Sequence, residues 1–326
     1  MFNTLNGLFI AAVLAGTPLL LGALGEILSQ KAGNMNLGVE GMMFMGAIAG
    51  LAGSYYYEQS VATPNGFVSA LIALCVSFLA GMIGALIYGF LTITLHANQN
   101  VTGLTLTIFG TGLGNFLGEY IGQQSSGYVA VSADTKKAFS SVTIPILSDI
   151  PVIGKLFFQY NWLVYFAIAL ALCMAWFFNK SRIGLNLRAV GENPATADAA
   201  GIPIKKYKYL AVLIGGGICG IGGMYMSMVT TAGVWVHGCV SGYGWLAVAL
   251  VIFATWSPTR AMLVALIFGG LTIMRMYVSI PGLPAQIYDM VPYVATVLVL
   301  IVTSMRQSKE HAQPKGCGIN YFREER

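Results

Sequence analysis

The chain has 326 residues, of which 56% are hydrophobic and only 9% charged, and its mean hydropathy is +0.73. A soluble domain carries about 25% charged residues, so this composition excludes a soluble enzyme, a disordered chain and a nucleic-acid-binding domain. The net charge of +5, from 17 basic and 12 acidic residues, therefore speaks of membrane topology rather than of a nucleic-acid partner.

A membrane-spanning helix needs about 20 mostly apolar residues. In chain order nine candidates stand out: Leu5–Leu28, Leu37–Tyr57, Phe67–Leu95, Val101–Gly122, Trp162–Asn179, Tyr209–Val229, Trp245–Trp256, Met262–Ile280 and Ile287–Met305. The first has no basic segment before it and reads as a retained helix rather than a cleaved leader. The second, fourth and seventh are short or rich in glycine, so each is expected either to span or to be broken inside the protein. Between the fourth and fifth lies Gln123–Asn161, too short for a second domain. The expectation is an all-α, polytopic membrane helix bundle over residues 1–306 with a short tail at 307–326.

Basic residues orient the bundle. With the N-terminus outside, thirteen of the seventeen fall on cytoplasmic segments. They include Lys31, the cluster from Lys180 to Lys208, Arg260 and the tail. Lys136, Lys137 and Lys155 fall outside. This positive-inside bias predicts an external N-terminus, a cytoplasmic C-terminus and an odd number of spans.

Small residues recur at four-residue spacing: Gly110, Gly114, Gly118 and Gly122 on the fourth helix, Gly81, Ala85 and Gly89 on the third, Gly216 and Gly220 on the sixth. Such ridges let helix backbones approach closely in lipid. Beside the first ridge runs a polar stripe, Thr107, Thr111, Asn115 and Glu119. Polar groups in hydrocarbon are costly and face a cavity or another helix. The stripe reads either as the lining of a solute path or as interhelical hydrogen bonding. Glu26 and Glu40 flank the turn around Lys31 and are expected at the cytoplasmic interface, and Arg275 is expected to snorkel outward. His96, His237 and the five cysteines form no metal-ligand spacing. No catalytic set is visible, and no P-loop either, so ATP hydrolysis is not expected of this chain.

The cytoplasmic segment Ser181–Pro203 carries helix signals of its own. Asn193 suits an N-cap and Pro194 the first helical position. Gly201 suits the left-handed position after the last turn, with Pro203 beyond it. They bracket a short helix, Pro194–Ala200. Isolated helices need roughly 12–15 residues, so this one docks either on a partner or on its own bundle.

The run Leu187-Arg188-Ala189-Val190-Gly191-Glu192-Asn193-Pro194, followed by Ala197, Ala199, Ala200, Gly201 and Ile202, resembles the cytoplasmic loop of bacterial ABC importer permeases. The likeness is to the branched-chain amino acid/ribose-type permeases, in the subgroup that serves nucleosides and simple sugars. Thr17-Pro18-Leu19-Leu20, Gly33-Asn34-Met35-Asn36-Leu37-Gly38-Val39-Glu40-Gly41-Met42-Met43, Ile144–Gly154 and Asp289-Met290-Val291-Pro292-Tyr293 agree with it. The stretch Val234–Cys239 departs from it, being more aromatic, and so does the tail.

The resemblance implies a type II importer-like permease in the bacterial plasma membrane, surrounded by lipid. It implies a second, related permease subunit, a cytoplasmic ATP-binding subunit that uses ATP and Mg, and an external substrate-binding lipoprotein or periplasmic protein. No cofactor is expected on this chain. Arg188, Gly191, Glu192, Asn193, Pro194, Ala197, Ala200 and Gly201 would couple to the ATP-binding subunit. The solute is expected to be a nucleoside. A simple sugar is the alternative, and an ion-coupled secondary transporter is a more distant one.

Overall fold

The computed structural model describes residues 2–125, 127–142, 153–277, 284–305 and 313–322. Most of the Ile144–Gly154 motif lies outside them. The described chain forms thirteen helices: α1 (Phe2–Lys31), α2 (Val39–Ser60), α3 (Gly66–Gly89), α4 (Gln99–Gln124), α5 (Ala133–Ala138), α6 (Ile153–Phe157), α7 (Trp162–Lys180), α8 (Arg182–Glu192), α9 (Pro194–Ala199), α10 (Ile204–Tyr225), α11 (Tyr243–Phe253), α12 (Pro258–Tyr277) and α13 (Ala285–Met305). Helices α3 and α10 each end in a π-helical turn, Phe90–Thr94 and Met226–Thr230. An isolated antiparallel bridge, Ala130 to Val234, is the β pairing among the described residues.

Each of the nine segments read from the sequence falls on a helix, but they are not alike. Five helices are long and apolar enough to cross a membrane unaided: α1, α3, α7, α10 and α12, with the π-helical turns of α3 and α10 included. Helices α2 and α4 are long and unbroken, but glycine and polar side chains dilute their apolar character. In α13 the apolar stretch covers Gln286–Ile301. Helix α11 has only 11 residues, about 16 Å at 1.5 Å per residue, roughly half of a hydrocarbon core of about 30 Å.

Glycine sets the centre of the bundle. A Cβ on Gly46 of α2 would collide with the backbone of Gly220 on α10, so these helices meet backbone to backbone. Such close approach substitutes for the hydrophobic drive that lipid removes. The ridge on α4 is likewise a packing surface: at Gly110 and Gly114 a Cβ would press on Gly41 and Phe44 of α2, and at Gly118 on the Trp235 ring. Gly122 stands clear, 3.6 Å from its nearest neighbour.

Contacts fix the helix directions. Gly16 meets Ala265 and Gly7 meets Tyr277, so α1 and α12 are antiparallel. Gly46 meets Gly220 and Gly50 meets Met224, so α2 and α10 run together. The turns near residues 32–38, 95–98, 181–203 and 254–257 therefore collect at one end. Residues 58–66, 125–142 and 231–237 collect at the other.

Candidate functional site

Two regions carry the polar chemistry. The first is the end that holds the turn 32–38. Glu26 is fully buried, and its Oε1 accepts from Gln30 Nε2 at 2.7 Å and from the Asn36 amide at 3.0 Å. Gln30 Oε1 in turn accepts from Trp256 Nε1 at 2.5 Å. Tyr88 Oη donates to the Met35 carbonyl at 2.6 Å, and Gln99 Oε1 accepts the Met35 amide at 2.8 Å. The turn is thus held by side chains of α1, α3 and α4. This corrects the expectation for Glu26, which sits inside the protein because the turn's amide and Gln30 need an acceptor there.

Glu40 is also inside. Its Oε1 accepts the Gly242 amide at 3.2 Å. Gly242, at φ +85°, is the N-cap of α11. A carboxylate from α2 therefore stands at the start of the half-length helix, where unpaired amides and the helix dipole favour negative charge. The other half of this pass is not helix. Segment 231–242 leaves the end of α10, folds in along α4 and delivers the chain to α11 at the depth of Glu40.

That segment is where the polar stripe of α4 ends. Asn115 Oδ1 accepts the Gly238 amide at 3.1 Å, and Glu119 Oε1 lies 2.6 Å from His237 Nδ1. Thr107 is buried further along and donates to the Leu37 carbonyl at 2.9 Å. Thr111 lies between them, half-buried. The structure thus brings Asn115 and Glu119 to one place and Thr107 to another. A cleft of about 390 Å³ opens beside Glu119, His237 and Trp235. The sequence reading missed His237 as Glu119's partner, since only the fold brings together residues 118 positions apart.

The short helix α9 forms as its caps foretell. Asn193 Oδ1 accepts the Thr196 amide at 3.1 Å, Pro194 opens the helix, and Gly201 takes φ +79°. Before it stands α8, an amphipathic helix capped by Ser181, whose Oγ accepts the Gly184 amide at 2.9 Å. Ala197 is only 3% exposed and packs with Val190 and Ile204. Its methyl is the inward anchor of α9, not part of an outward face. Gly191 is also buried, against the end of α1 at Lys31. Arg188, Glu192, Asn193, Ala195, Thr196, Ala199, Ala200 and Gly201 remain exposed, and Pro194 is partly so.

The tail reaches this corner. Gly316 donates to the Gly191 carbonyl at 2.9 Å, Tyr321 Oη donates to Asp198 Oδ2 at 2.9 Å, and Asn320 Nδ2 donates to the His96 carbonyl at 2.6 Å. Residues 314–322 therefore tie α9 to the turn between α3 and α4. At the far end Arg275 is exposed and its Nη1 donates to Asp289 Oδ2 at 3.2 Å.

Comparison with known proteins agrees with this architecture. Residues 8–300 match the family described as branched-chain amino acid transport system / permease component. The chain is 37% identical to a Haloferax volcanii protein provisionally named glucose ABC transporter permease protein TsgC13, over 98% of each chain. It is 32% identical to the nucleoside ABC transporter permease protein NupC of Lactococcus lactis, over 98% of each, and 32% identical to the guanosine ABC transporter permease protein NupQ of Bacillus subtilis, over 97% of this chain and 96% of that one. In each organism a second permease also aligns, at 27%, 22% and 24% identity respectively. A match spanning nearly the whole helix bundle leaves no room for the ion-coupled alternative: the chain is a multi-pass membrane protein and belongs to the branched-chain amino acid/ribose-type family of ABC transporter permeases.

Proposed function

We propose that the chain is one of two unlike permease halves of an ATP-driven nucleoside importer. The observation that carries this is the pairing of relatives: in three organisms the chain resembles one permease of the set more than the other. That asymmetry is what a heterodimer with a distinct place for each chain produces. Two of the three nearer relatives are named for nucleosides or guanosine. The provisional glucose name of the third favours a simple sugar as the second reading.

In this reading the N-terminus is outside, and the end bearing α8, α9 and the tail is cytoplasmic. The charge bias supports it, and the helix directions put the basic segments at one end. ATP-binding subunits, using ATP and Mg, dock on the exposed side of α9, with Ala195, Thr196, Ala199 and Ala200 against a groove and Arg188, Glu192 and Asn193 beside it. Ala197, Gly191 and Gly201 hold that helix in its pose. An external binding protein delivers the solute. The route follows the outer half of α4, past Glu119, Asn115 and Thr111, with segment 231–242 on its other side, while Thr107 closes the stripe by its bond to Leu37.

The test is uptake in vesicles that hold the complete transporter. ATP-dependent accumulation of labelled guanosine or uridine, competed by other nucleosides and not by glucose, is the expected result. Competition by glucose alone would move the assignment to sugars. Lys180→Cys, exposed and away from the docking face, should react with a membrane-impermeant maleimide only in inside-out vesicles, and Ser140→Cys only in right-side-out ones.

A further inference from the structure

A cavity of about 770 Å³ lies at the inner end between the π-helical turn of α3, the start of α10 and the tail. Three lysines line it: Lys205 and Lys206 at the exposed mouth and Lys208 within. Lys208 is only 5% exposed, and among the described residues it has neither an ion pair nor a hydrogen bond. A buried ammonium without a partner is costly. Among the described residues no titratable group forms an ion pair with it. The Asp198 carboxylate, which also lines the cavity, accepts from Tyr321 Oη instead. Cys317 is a thiol that burial pushes up to about 12, so it is neutral at physiological pH. His96 completes the wall, its ring 4.6 Å from that of Phe322 and its backbone at φ +56°. Such strained backbone clusters at binding sites and switch regions.

We propose that this cavity is a binding site for a phosphate group, with Lys208 as the inner contact and Lys205 and Lys206 closing over it. Lysine binds phosphate as a compact point charge with three donors, and a dianion would complete the charge balance that Lys208 lacks. The phosphate has two possible sources. A soluble phosphate ester can enter from the cytoplasmic side. A phospholipid can present its headgroup from the membrane, because Lys206 also borders an apolar groove of about 550 Å³ lined by Met174, Leu210 and Ile214, among others. In either case the occupant lies between the start of α10 and the tail, where Asn320 also lines the cavity.

The site is independent of which solute is carried, so solute uptake and phosphate binding are separate readouts. The experiment uses the complete transporter in nanodiscs. In phosphatidylcholine discs, inorganic phosphate and ribose 5-phosphate are titrated by calorimetry. In parallel, discs containing phosphatidylglycerol are analysed by native mass spectrometry for retained lipid. One saturable site per chain is expected for one of the two sources. Lys208→Met should weaken it by at least about tenfold, the loss expected when one partner of a charge-assisted contact is removed, and Lys208→Arg should retain it. Should Lys208→Met fail to fold, the double change Lys205→Gln/Lys206→Gln must weaken binding instead. Absence of binding from both sources, or equal binding by the lysine variants and the wild type, overturns the proposal.

Discussion

The two ends of the bundle are both closed by polar contacts, yet of opposite kinds. At the end that bears α8 and α9, Glu26, Gln30, Asn36 and Trp256 form a buried chain of hydrogen bonds. At the opposite end Glu119 and His237 meet with most of both side chains in the open. A buried network rigidifies, because each lost partner strands a desolvated group. An exposed ion pair contributes little and is screened by salt. The end that bears α8 and α9 is therefore a fixed platform and the opposite end a contact that can part, which fits the proposed division between an ATP-binding-subunit face and a solute face.

Variants separate these ends. The largest effect is expected from Glu26→Leu, which strands the Gln30 amide and the Asn36 N–H. At about 1–3 kcal/mol for each unsatisfied group, several kcal/mol of stability are lost, seen as a lowered Tm and poor yield. Glu26→Gln keeps the acceptor and should stay within about 1 kcal/mol of the wild type; an equal loss in both variants would show that the charge, not the acceptor, matters.

Next in size, Ala199→Arg places bulk and charge on the exposed side of α9. Substrate-stimulated ATPase activity should fall about tenfold or more, as at an interface hot spot, with Tm unchanged. Intact stimulation would mean that the ATP-binding subunit docks elsewhere. Ala197→Arg, by contrast, should unfold the α8–α9 corner, since that methyl is already buried in the chain's own core.

Trp256→Phe removes one donor from the buried chain and should cost about 1 kcal/mol, read as a small fall in Tm. The smallest effect on stability belongs to Glu119→Gln. An exposed pair is worth about 0–1 kcal/mol, so Tm should not move, while uptake should change if the outer half of α4 lines the route. A Tm shift as large as that of Trp256→Phe would erase the distinction between the two ends.

Much of this was readable from residue order. The caps of α9, Asn193 and Gly201, are local signals, and local backbone chemistry settles them. The glycine ridge of α4 declared a packing face through its spacing alone. What the sequence did not reveal depends on contacts between distant residues. Glu26 and Glu40 looked interfacial because each lies near a turn, and only the fold turns them inward, toward the Asn36 amide and the start of α11. Ala197 cannot be told from Ala199 by composition, because a helix of six residues is too short to show periodicity. His237 found its partner across 118 positions.

The half-length pass has a consequence for how such a chain can change its cargo. Glu40 fixes the inner half of that pass at the mouth of α11, while the outer half, 231–242, is bound to no helical register. Apart from Trp235 against Gly118 and the bonds to Asn115 and Glu119, residues there can vary more freely than those of the glycine-packed helices, as loops on a rigid scaffold permit. Val234–Cys239, a stretch whose aromatic content departs from the expected pattern, lies inside it. With that segment bordering the solute route, as proposed above, rewriting about a dozen residues would retune the cargo and leave α8 and α9 untouched.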